Sequence, residues 1–292
     1  MGKGGLLKLI GDFPAKCPLE PVVLLEEERG SFFQRKIEYA SEVGERIRAY
    51  VLIPKTDYPR PAIFAHHQHG GDFELGKSEV VGLAGDPDQA YGKELAQRGY
   101  VVIAPDALGF EERCGSGESG DTQYREFTSR LVQGKTLNAK ALHDISAAID
   151  YLCSLPEVDP EHIGFIGHSY GGQMALWYPA FDHRIKATVS SCRCITYAES
   201  LENNIGIQME FVIPAITQWG DLGDVIGLFQ DCAAYISATN RDKYSRGAQA
   251  LYRYVRSRYP ATDMQLREYE GDHVFSPEMR QNAYDWLDSR LN

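Results

Sequence analysis

The chain has 292 residues, 43% of them hydrophobic and 24% charged, a composition typical of a globular protein with a large core. Its formal net charge is −11, from 30 basic and 41 acidic residues, which argues against nucleic acid as a partner. We find no segment with the length and apolar character of a secretion signal or a membrane span, so we expect no membrane partner and a cytoplasmic location.

The first predicted elements are strands. Residues 1–35 carry charges and prolines and are expected to form an irregular N-terminal arm, and residues 36–292 a single domain. The domain should begin with an antiparallel hairpin of residues 36–39 and 46–53, which flank a turn at Gly44. A short apolar strand is then predicted at residues 62–65.

Beyond the hairpin, predicted helices and strands alternate. Helices are expected at residues 91–98, 137–155 and 277–291, and strands at residues 100–104, 163–166, 187–190, 233–237 and 264–269, with a break at residues 158–160. This alternation predicts an α/β fold with a mostly parallel twisted sheet and helices on both faces. Residues 110–134 and 196–230 fit the alternation poorly and are expected to form two excursions over the top of the sheet.

The stretch GFIGHSYGG places Ser169 in the pattern G-x-S-x-G, after a predicted strand and before a predicted helix. In that context the serine lies at a strained turn, and the following helix directs its N-terminal dipole toward negative charge that develops on a substrate. A turn serine that only caps the next helix would not require the flanking glycines. We therefore predict that Ser169 is a nucleophile.

A nucleophilic serine needs a base, and in this arrangement an acid and then a histidine follow it along the chain. Of the eight histidines, only His273 follows the last predicted strand. The acid is expected in the loop after the strand at residues 233–237, where Asp242 is the preferred candidate. Asp221 and Asp224 remain alternatives.

An anion-stabilising site should complete the machinery. One donor is expected to be the backbone N–H of Tyr170, and the second the N–H of His69, with Gln68 as the alternative. The histidines of the segment HHQHGGD could instead suggest a metal site. Consecutive residues on an extended chain point apart, however, so we predict no metal there.

These motifs resemble the α/β-hydrolase superfamily and, within it, the serine esterases similar to dienelactone hydrolase and acetyl xylan esterase. The resemblance starts near residue 45 and rests on HQHGGDFELGKSE, RGYVVIAPDALGFEER, GFIGHSYGG and YEGDHVFSPEMR. It implies an α/β-hydrolase fold, a triad of Ser169, Asp242 and His273, and ester hydrolysis through an acyl-enzyme without a cofactor. Dienelactone hydrolases carry cysteine at the position of Ser169, which argues against their substrate.

The sequence thus predicts a serine carboxylesterase acting on a small-molecule ester, with an acetyl group as the acyl part by analogy with the family. An amidase, a peptidase or a lactonase would carry the same residues. A catalytically silent small-molecule binding module is a further alternative, which the presence of both Ser169 and His273 disfavours. The sequence leaves open whether the protein forms a homo-oligomer.

Overall fold

The computed structural model describes residues 2–115 and 120–292, so that residues 116–119 of the predicted excursion at 110–134 lie outside the described residues. Nine strands of the described chain form one sheet in the order β1-β2-β3-β5-β4-β6-β7-β8-β9. They are β1 (Val22–Arg29), β2 (Phe32–Glu42), β3 (Glu45–Pro54), β4 (Arg60–His66), β5 (Val101–Pro105), β6 (Val158–His168), β7 (Ile185–Ser191), β8 (Ala233–Thr239) and β9 (Met264–Tyr269). The strands from β1 to β3 pair antiparallel, as do β3 and β5, and the remaining pairs are parallel.

The helices of the described residues connect these strands and cover the sheet. They are α1 (Lys3–Ile10), α2 (Lys77–Val80), α3 (Tyr91–Gln97), α4 (Asp121–Val132), α5 (Leu137–Cys153), α6 (Tyr170–Ala175), α7 (Tyr197–Glu202), α8 (Ile216–Trp219), α9 (Leu222–Ile226), α10 (Ala248–Arg258) and α11 (Pro277–Leu291). Within the described chain, no helix is long and apolar enough to cross a membrane.

Helix α5 shows how the sequence pattern becomes packing. Thr136 caps its N-terminus, since the hydroxyl oxygen accepts a hydrogen bond from the N–H of Ala139 at 3.1 Å. Leu142, Ile149 and Leu152 recur at helical spacing and are buried against one face of the sheet. Helices α3 and α11 contribute to a second apolar cluster on the opposite face. The sheet is therefore covered on both sides, as its alternating sequence pattern predicts.

The topology explains where a site can form. The chain passes from β4 to β5 on one side and later returns to place β6 on the other side of β4. In open α/β sheets, a crevice opens at the carboxyl ends of the strands where the strand order reverses in this way. The loop at residues 66–71 leaves β4 at this point, and Ser169 follows β6 directly.

The expectation of an irregular N-terminal arm is wrong for its secondary structure. Helix α1 packs into the core through Leu6 and Ile10, and β1 pairs with β2 at the edge of the sheet. Residues 22–25 of β1 are about half exposed, at 46% to 54%. Because β1 lies at an edge and its sequence VVLLEEER does not alternate between apolar and polar residues, period-two analysis does not detect it.

The predicted hairpin is present as β2 and β3, and the predicted α/β fold is confirmed. Helix α11 and strand β9 begin and end where the sequence predicts. Helix α5 ends at Cys153, before the predicted break at residues 158–160, and these residues already belong to β6, which continues to His168. Within β6, residues 159–162 are at least partly exposed, so the buried apolar pattern begins only at Ile163.

Candidate active site

Ser169 lies at a sharp turn between β6 and α6. Its backbone adopts φ +54° and ψ −115°, a conformation that residues with a side chain rarely occupy. The turn is held by a hydrogen bond from the Ser169 N–H to the carbonyl of Ser191, at 2.8 Å. Such a strained turn presents the serine hydroxyl above the end of the strand, as the motif predicts.

The glycines around Ser169 allow the backbone to pass unusually close to its neighbours. A Cβ atom at Gly171 would lie 2.2 Å from the carbonyl oxygen of His66, and one at Gly167 would lie 2.3 Å from the carbonyl carbon of Gly171. A Cβ at Gly172 would lie 2.6 Å from the carbonyl oxygen of Ser191. All three contacts involve backbone atoms that cannot move aside, so the sequence of this turn is fixed by sterics.

His273 and Asp242 lie together, as predicted. The Nδ1 atom of His273 is 3.0 Å from Oδ1 of Asp242, whose side chain is almost completely buried, whereas the His273 side chain is 30% exposed. The ring nitrogen is at hydrogen-bonding distance but does not reach an ideal hydrogen-bond angle. Hydrogen bonds between catalytic groups often align only once a substrate is bound.

The loop after β8 holds Asp242 in its ionised form. Oδ1 accepts a hydrogen bond from the Tyr244 N–H at 3.0 Å, and Oδ2 accepts one from the Ser245 hydroxyl at 2.7 Å. Burial raises the pKa of Asp242, but the interactions with His273, Ser245 and the Tyr244 N–H outweigh that effect and leave the pKa lowered. The carboxylate is therefore available to orient the imidazole.

The two alternative acids have structural partners elsewhere. Asp221 caps α9 and accepts a hydrogen bond from the Tyr197 N–H at 2.8 Å. Asp224 accepts hydrogen bonds from the hydroxyls of Tyr254 and Tyr259, both at 2.7 Å. Neither carboxylate contacts His273 among the described residues, so the geometry favours Asp242.

Two aromatic rings pack against His273. The Tyr244 ring contacts it edge-on with centroids 5.1 Å apart, and the His168 ring lies at 4.8 Å. Burial lowers the pKa of His168 to about 3, so this ring is neutral, and its Nδ1 lies 3.0 Å from the Ser191 hydroxyl. The neutral His168 ring therefore adds no positive charge beside His273.

The histidine-rich loop, residues 66–71, faces Ser169 across the crevice. The ring of His67 accepts a hydrogen bond from the Ala107 N–H at Nε2 and donates one from Nδ1 to the Gln68 carbonyl, at 3.0 and 2.6 Å. Burial lowers the pKa of His67 to about 4, and that of His66 to about 3. Backbone groups thus occupy both nitrogens of His67, which are not free to bind a metal.

The predicted anion-stabilising residues lie around the serine. Tyr170 is the first residue of α6, where a backbone N–H has no partner within the helix. Gln68 and His69 both line the same cleft as Ser169. The structure brings all three candidates to the site, and the choice between the Gln68 and His69 N–H groups stays a prediction.

The cleft has a volume of about 480 Å³ and is open to solvent. Ser169 and His273 line it together, whereas Asp242 lies behind His273. Other lining residues come from the histidine-rich loop, from the segment after β7, from the excursion at 196–230 and from the loop after β8, and include His69, Gly70, Arg193, Gly206, Gln208 and Tyr244. The cleft therefore reaches both the serine hydroxyl and the exposed part of the imidazole.

The two excursions meet behind the histidine-rich loop. Gln123 of α4 is buried, and its amide donates a hydrogen bond to Glu210 and contacts the side chain of His69. Glu210 also interacts with the Tyr170 side chain. Burial raises the pKa of Glu210 to about 7. This polar chain connects one excursion to the other and to the residues that flank the serine.

Two clusters in the described chain could bring three metal-ligating atoms within 4.8 Å of one another. Cys192, Asp242 and His273 form the first, in which the acid and the histidine already pair. In the second cluster, the ammonium group of Lys77 contacts all three carboxylates at 2.6 Å. That cluster consists of Asp106, Glu111 and Glu112. We assign neither cluster to a metal.

Sequence reasoning missed several residues of the cleft. Arg193 and Gln208 line it, and Tyr244 and His168 pack on the imidazole. Arg193 could have been identified, because it comes three residues after a predicted buried strand, at the edge where ligands bind. Gln208 carries no local signal within its excursion.

Comparisons with known proteins agree with this architecture. YtaP of Bacillus subtilis (strain 168), named as a hydrolase, is 36% identical over 189 residues, which are 64% of this chain and 62% of YtaP. The matched region thus spans less than two thirds of that relative. An acetyl xylan esterase from Paenibacillus sp. R4 superposes with a TM-score of 0.68 at 16% identity, covering 94% of this chain and 90% of the other.

Acetyl xylan esterase 1 from Thermoanaerobacterium sp. JW/SL YS485 superposes with a TM-score of 0.67 at 14% identity and covers 98% of both chains. At these identities the structural likeness establishes the fold alone. The sequence model of the dienelactone hydrolase family matches residues 47–205, more than half of the chain. The protein therefore belongs to the dienelactone hydrolase family and has the α/β-hydrolase fold.

Proposed function

We propose that this protein is a serine esterase that hydrolyses small-molecule esters through an acyl-enzyme. The observation that carries the proposal is the strained Ser169 turn, which opens into the same cleft as His273, with Asp242 paired behind the imidazole. A structural turn would need neither a histidine in the cleft nor a buried carboxylate behind it.

In the proposed reaction, Nε2 of His273 takes the proton of the Ser169 hydroxyl as the oxygen attacks the ester carbonyl. Asp242 holds the imidazole through Nδ1 and stabilises the imidazolium that forms. The N–H of Tyr170, together with that of His69 or Gln68, stabilises the oxyanion of the tetrahedral intermediate. The alcohol leaves with the proton from His273, and water activated by the same imidazole then releases the acid.

A small acyl group, acetyl above all, is the second part of the proposal. Its support is the likeness to two solved acetyl xylan esterases and the sequence motifs shared with such enzymes. Family membership does not extend the dienelactone substrate to this chain, because Ser169 occupies the nucleophile position.

The test is labelling with a fluorophosphonate, which reacts with an activated serine and requires no assumption about the substrate. We expect one rapid adduct on Ser169 in the wild type, located by peptide mapping, and slow labelling of His273→Ala. His162→Ala is the matched control, since His162 is a half-exposed histidine outside the cleft that pairs with Asp159. Wild-type labelling elsewhere, or labelling of His273→Ala at a rate within about tenfold of wild type, would contradict the proposal.

Esters of increasing acyl length then test the acyl preference. We expect kcat/KM to be highest for the acetyl ester and to fall as the chain lengthens. A maximum at an acyl chain of six or more carbons would overturn the small-acyl part and leave the serine mechanism intact.

A further inference from the structure

Tyr91 is a buried tyrosine whose hydroxyl lies where β4 and β6 separate. It is the first residue of α3 and is completely buried in the apolar cluster that α3 and α11 share. Its hydroxyl donates a hydrogen bond to the carbonyl oxygen of His66, the last residue of β4. His66 and Gly167 form the last residue pair between the two strands. Beyond this pair, β4 continues into the histidine-rich loop and β6 into the serine turn.

The same hydroxyl also bonds to the backbone of β6. The N–H of His168 donates a hydrogen bond to the tyrosine oxygen, which lowers the pKa of Tyr91, but the effect of burial is larger and raises it. The hydroxyl therefore keeps its proton, and a neutral hydroxyl can donate one hydrogen bond while it accepts another. Tyr91 thus joins the carbonyl of His66 to the residue that directly precedes Ser169.

The His66 carbonyl is also packed against the start of α6. A Cβ atom at Gly171 would lie 2.2 Å from that oxygen, so the helix and the end of β4 approach each other as closely as their backbones allow. Tyr170, which carries one expected oxyanion donor, adjoins this contact. Gln68 and His69, which carry the alternatives for the other donor, follow His66 along the loop. The place of the His66 carbonyl therefore affects the separation of the two donors.

The ring of Tyr91 contacts the loop that carries the histidine. It packs edge-on against Phe275, with ring centroids 5.8 Å apart, and Phe275 follows His273 by two residues. The Phe275 ring in turn stacks on the His168 ring at 6.0 Å. Directly or through one further residue, Tyr91 therefore contacts the segments that hold the serine, the histidine and the expected oxyanion donors.

Tyr284 shows that the hydroxyl of Tyr91 has unusual partners. Tyr284 lies on α11 in the same apolar cluster, is 3% exposed, and donates its hydrogen bond to the Glu94 carboxylate at 2.6 Å. Its hydroxyl thus joins two helices by their side chains, whereas that of Tyr91 joins the backbones of two strands of the site. Burying a hydroxyl costs free energy, and phenylalanine would fill the same space without that cost.

We propose that Tyr91 is a positioning residue for the proposed esterase reaction, on which this inference rests. Its hydroxyl holds the end of β4 against the serine turn, so that the N–H of Tyr170 and that of the histidine-rich loop converge on the oxyanion. Tyr91 is not among the described residues that line the cleft, so it acts through the backbone rather than by contact with substrate. The placement matters, because a displacement of about 1 Å in a catalytic group can reduce a rate by about a hundredfold.

Tyr91→Phe tests the proposal, because it removes the hydroxyl and keeps the ring that contacts Phe275. We expect kcat/KM for 4-nitrophenyl acetate to fall by about ten- to hundredfold. The second measurement is the inhibition constant of phenylboronic acid. The serine oxygen adds to its boron atom, and the tetrahedral adduct places a negatively charged oxygen at the oxyanion position. Its affinity should fall by a similar factor.

The boronate measurement separates positioning from stability. A purely structural role would reduce the amount of folded protein and leave the boronate affinity of the folded fraction unchanged. All proteins are assayed in sucrose, an excluded osmolyte that favours the folded state, so that a variant of low stability is still measured when folded.

Tyr284→Phe is the matched control, since it also removes a buried tyrosine hydroxyl and its hydrogen bond. It should keep both kcat/KM and the boronate affinity within about threefold of the wild type. Three results would each overturn the proposal. They are an unchanged kcat/KM in Tyr91→Phe, a reduced kcat/KM with unchanged boronate affinity, and equal losses in Tyr284→Phe.

The wild type tests the esterase, and the variants test Tyr91. If the wild type hydrolyses the ester and binds the boronate while Tyr91→Phe matches it, the positioning role alone is refuted. A wild type that does neither would refute the proposed function, and this inference with it.

Discussion

Two regions of the molecule bury positive charge in opposite ways. On one side, Lys77 and Lys140 are completely buried, and each lies among three carboxylates. In the cleft, Arg193 is almost as buried, but its described partners are a neutral amide and an aromatic ring. We call the first region the lysine clusters, meaning Lys77 and Lys140 with their carboxylates.

The two regions therefore differ in how their buried positive charge is partnered. A lysine cluster is neutral as a whole, so its charges contribute to holding loops and strands together. In the cleft, no carboxylate among the described residues pairs directly with Arg193, and Glu210 and Asp242 attract its guanidinium only at longer range. Substitutions in the lysine clusters should therefore change stability and leave the rate intact, whereas substitutions in the cleft should do the reverse.

The largest effect is expected from Asp242→Asn. The amide can keep the hydrogen bond from Tyr244 but no longer stabilises an imidazolium, so kcat should fall by about 10³- to 10⁴-fold. The urea midpoint should change little. Asp272→Asn is the control, because Asp272 is exposed beside His273 and pairs with Arg241. A fall in kcat below tenfold for Asp242→Asn would remove Asp242 from the triad.

Lys77→Met should give the second largest effect, this time on stability. Removing the ammonium group leaves Asp106 buried beside two further carboxylates, which should lower the free energy of unfolding by about 3–5 kcal/mol. Urea denaturation measures the loss, and the kcat of the remaining folded protein should stay within about threefold. Lys36→Met, which removes a partly exposed partner of Glu112, is the control. Equal losses in both variants would refute the structural role of the buried lysine.

Glu210→Gln should change how the free energy of unfolding depends on pH, because Glu210 is a buried acid. The folded protein holds the Glu210 proton up to about pH 7, whereas the unfolded chain releases it near pH 4.5. The bound proton therefore increases the free energy of unfolding of the wild type at low pH. This contribution, about 3 kcal/mol in all, is lost as the pH rises to 7. Measured between pH 4.5 and 7, its unfolding free energy should decline relative to that of the variant.

Above pH 7 the difference between Glu210→Gln and the wild type should stay constant. Glu202→Gln, at an exposed position in the same excursion, controls for loss of a carboxylate. If both variants follow the same curve against pH, the buried acid does not hold its proton.

The smallest effect is expected for Arg193→Met in the urea experiment. The substitution loses the contacts to Gln173 and Tyr244, but it also removes a buried charge that no described carboxylate contacts directly, and these changes oppose each other. We expect the free energy of unfolding to change by no more than about 1 kcal/mol. A loss of 3 kcal/mol or more would show that Arg193 stabilises the fold as the lysine clusters do, and would contradict the distinction between the two regions.

Much of the fold follows from local pattern. The helical spacing of apolar residues in α5 and the continuous apolar runs of β5 and β8 are strong signals because these elements are buried. Strand β1 gives no such signal because four of its residues are half exposed and its stability depends on pairing with β2. The place of β1 in the sheet therefore depends on contacts between distant parts of the chain, which its local sequence does not reveal.

The candidate site also contains residues that local sequence pattern predicts and residues that it does not. Ser169 and His273 could be predicted because a turn motif and a position after the last strand each constrain the chain locally. Arg193 and Gln208 could not be placed together by spacing, because only the fold brings the end of β7 next to a residue of the second excursion. Local pattern therefore predicted the serine turn and the histidine of the candidate site, but not the residues that line the rest of the cleft.

The close backbone contacts at the serine turn restrict how this protein can evolve. At Gly167, Gly171 and Gly172 even one added carbon would collide with neighbouring backbone, so these sites can scarcely vary in any descendant that keeps the turn. The cleft wall contributed by Arg193, Gln208 and Tyr244 consists of side chains, whose replacement leaves the turn untouched. New specificities can therefore arise by drift at the wall while the serine turn is inherited unchanged.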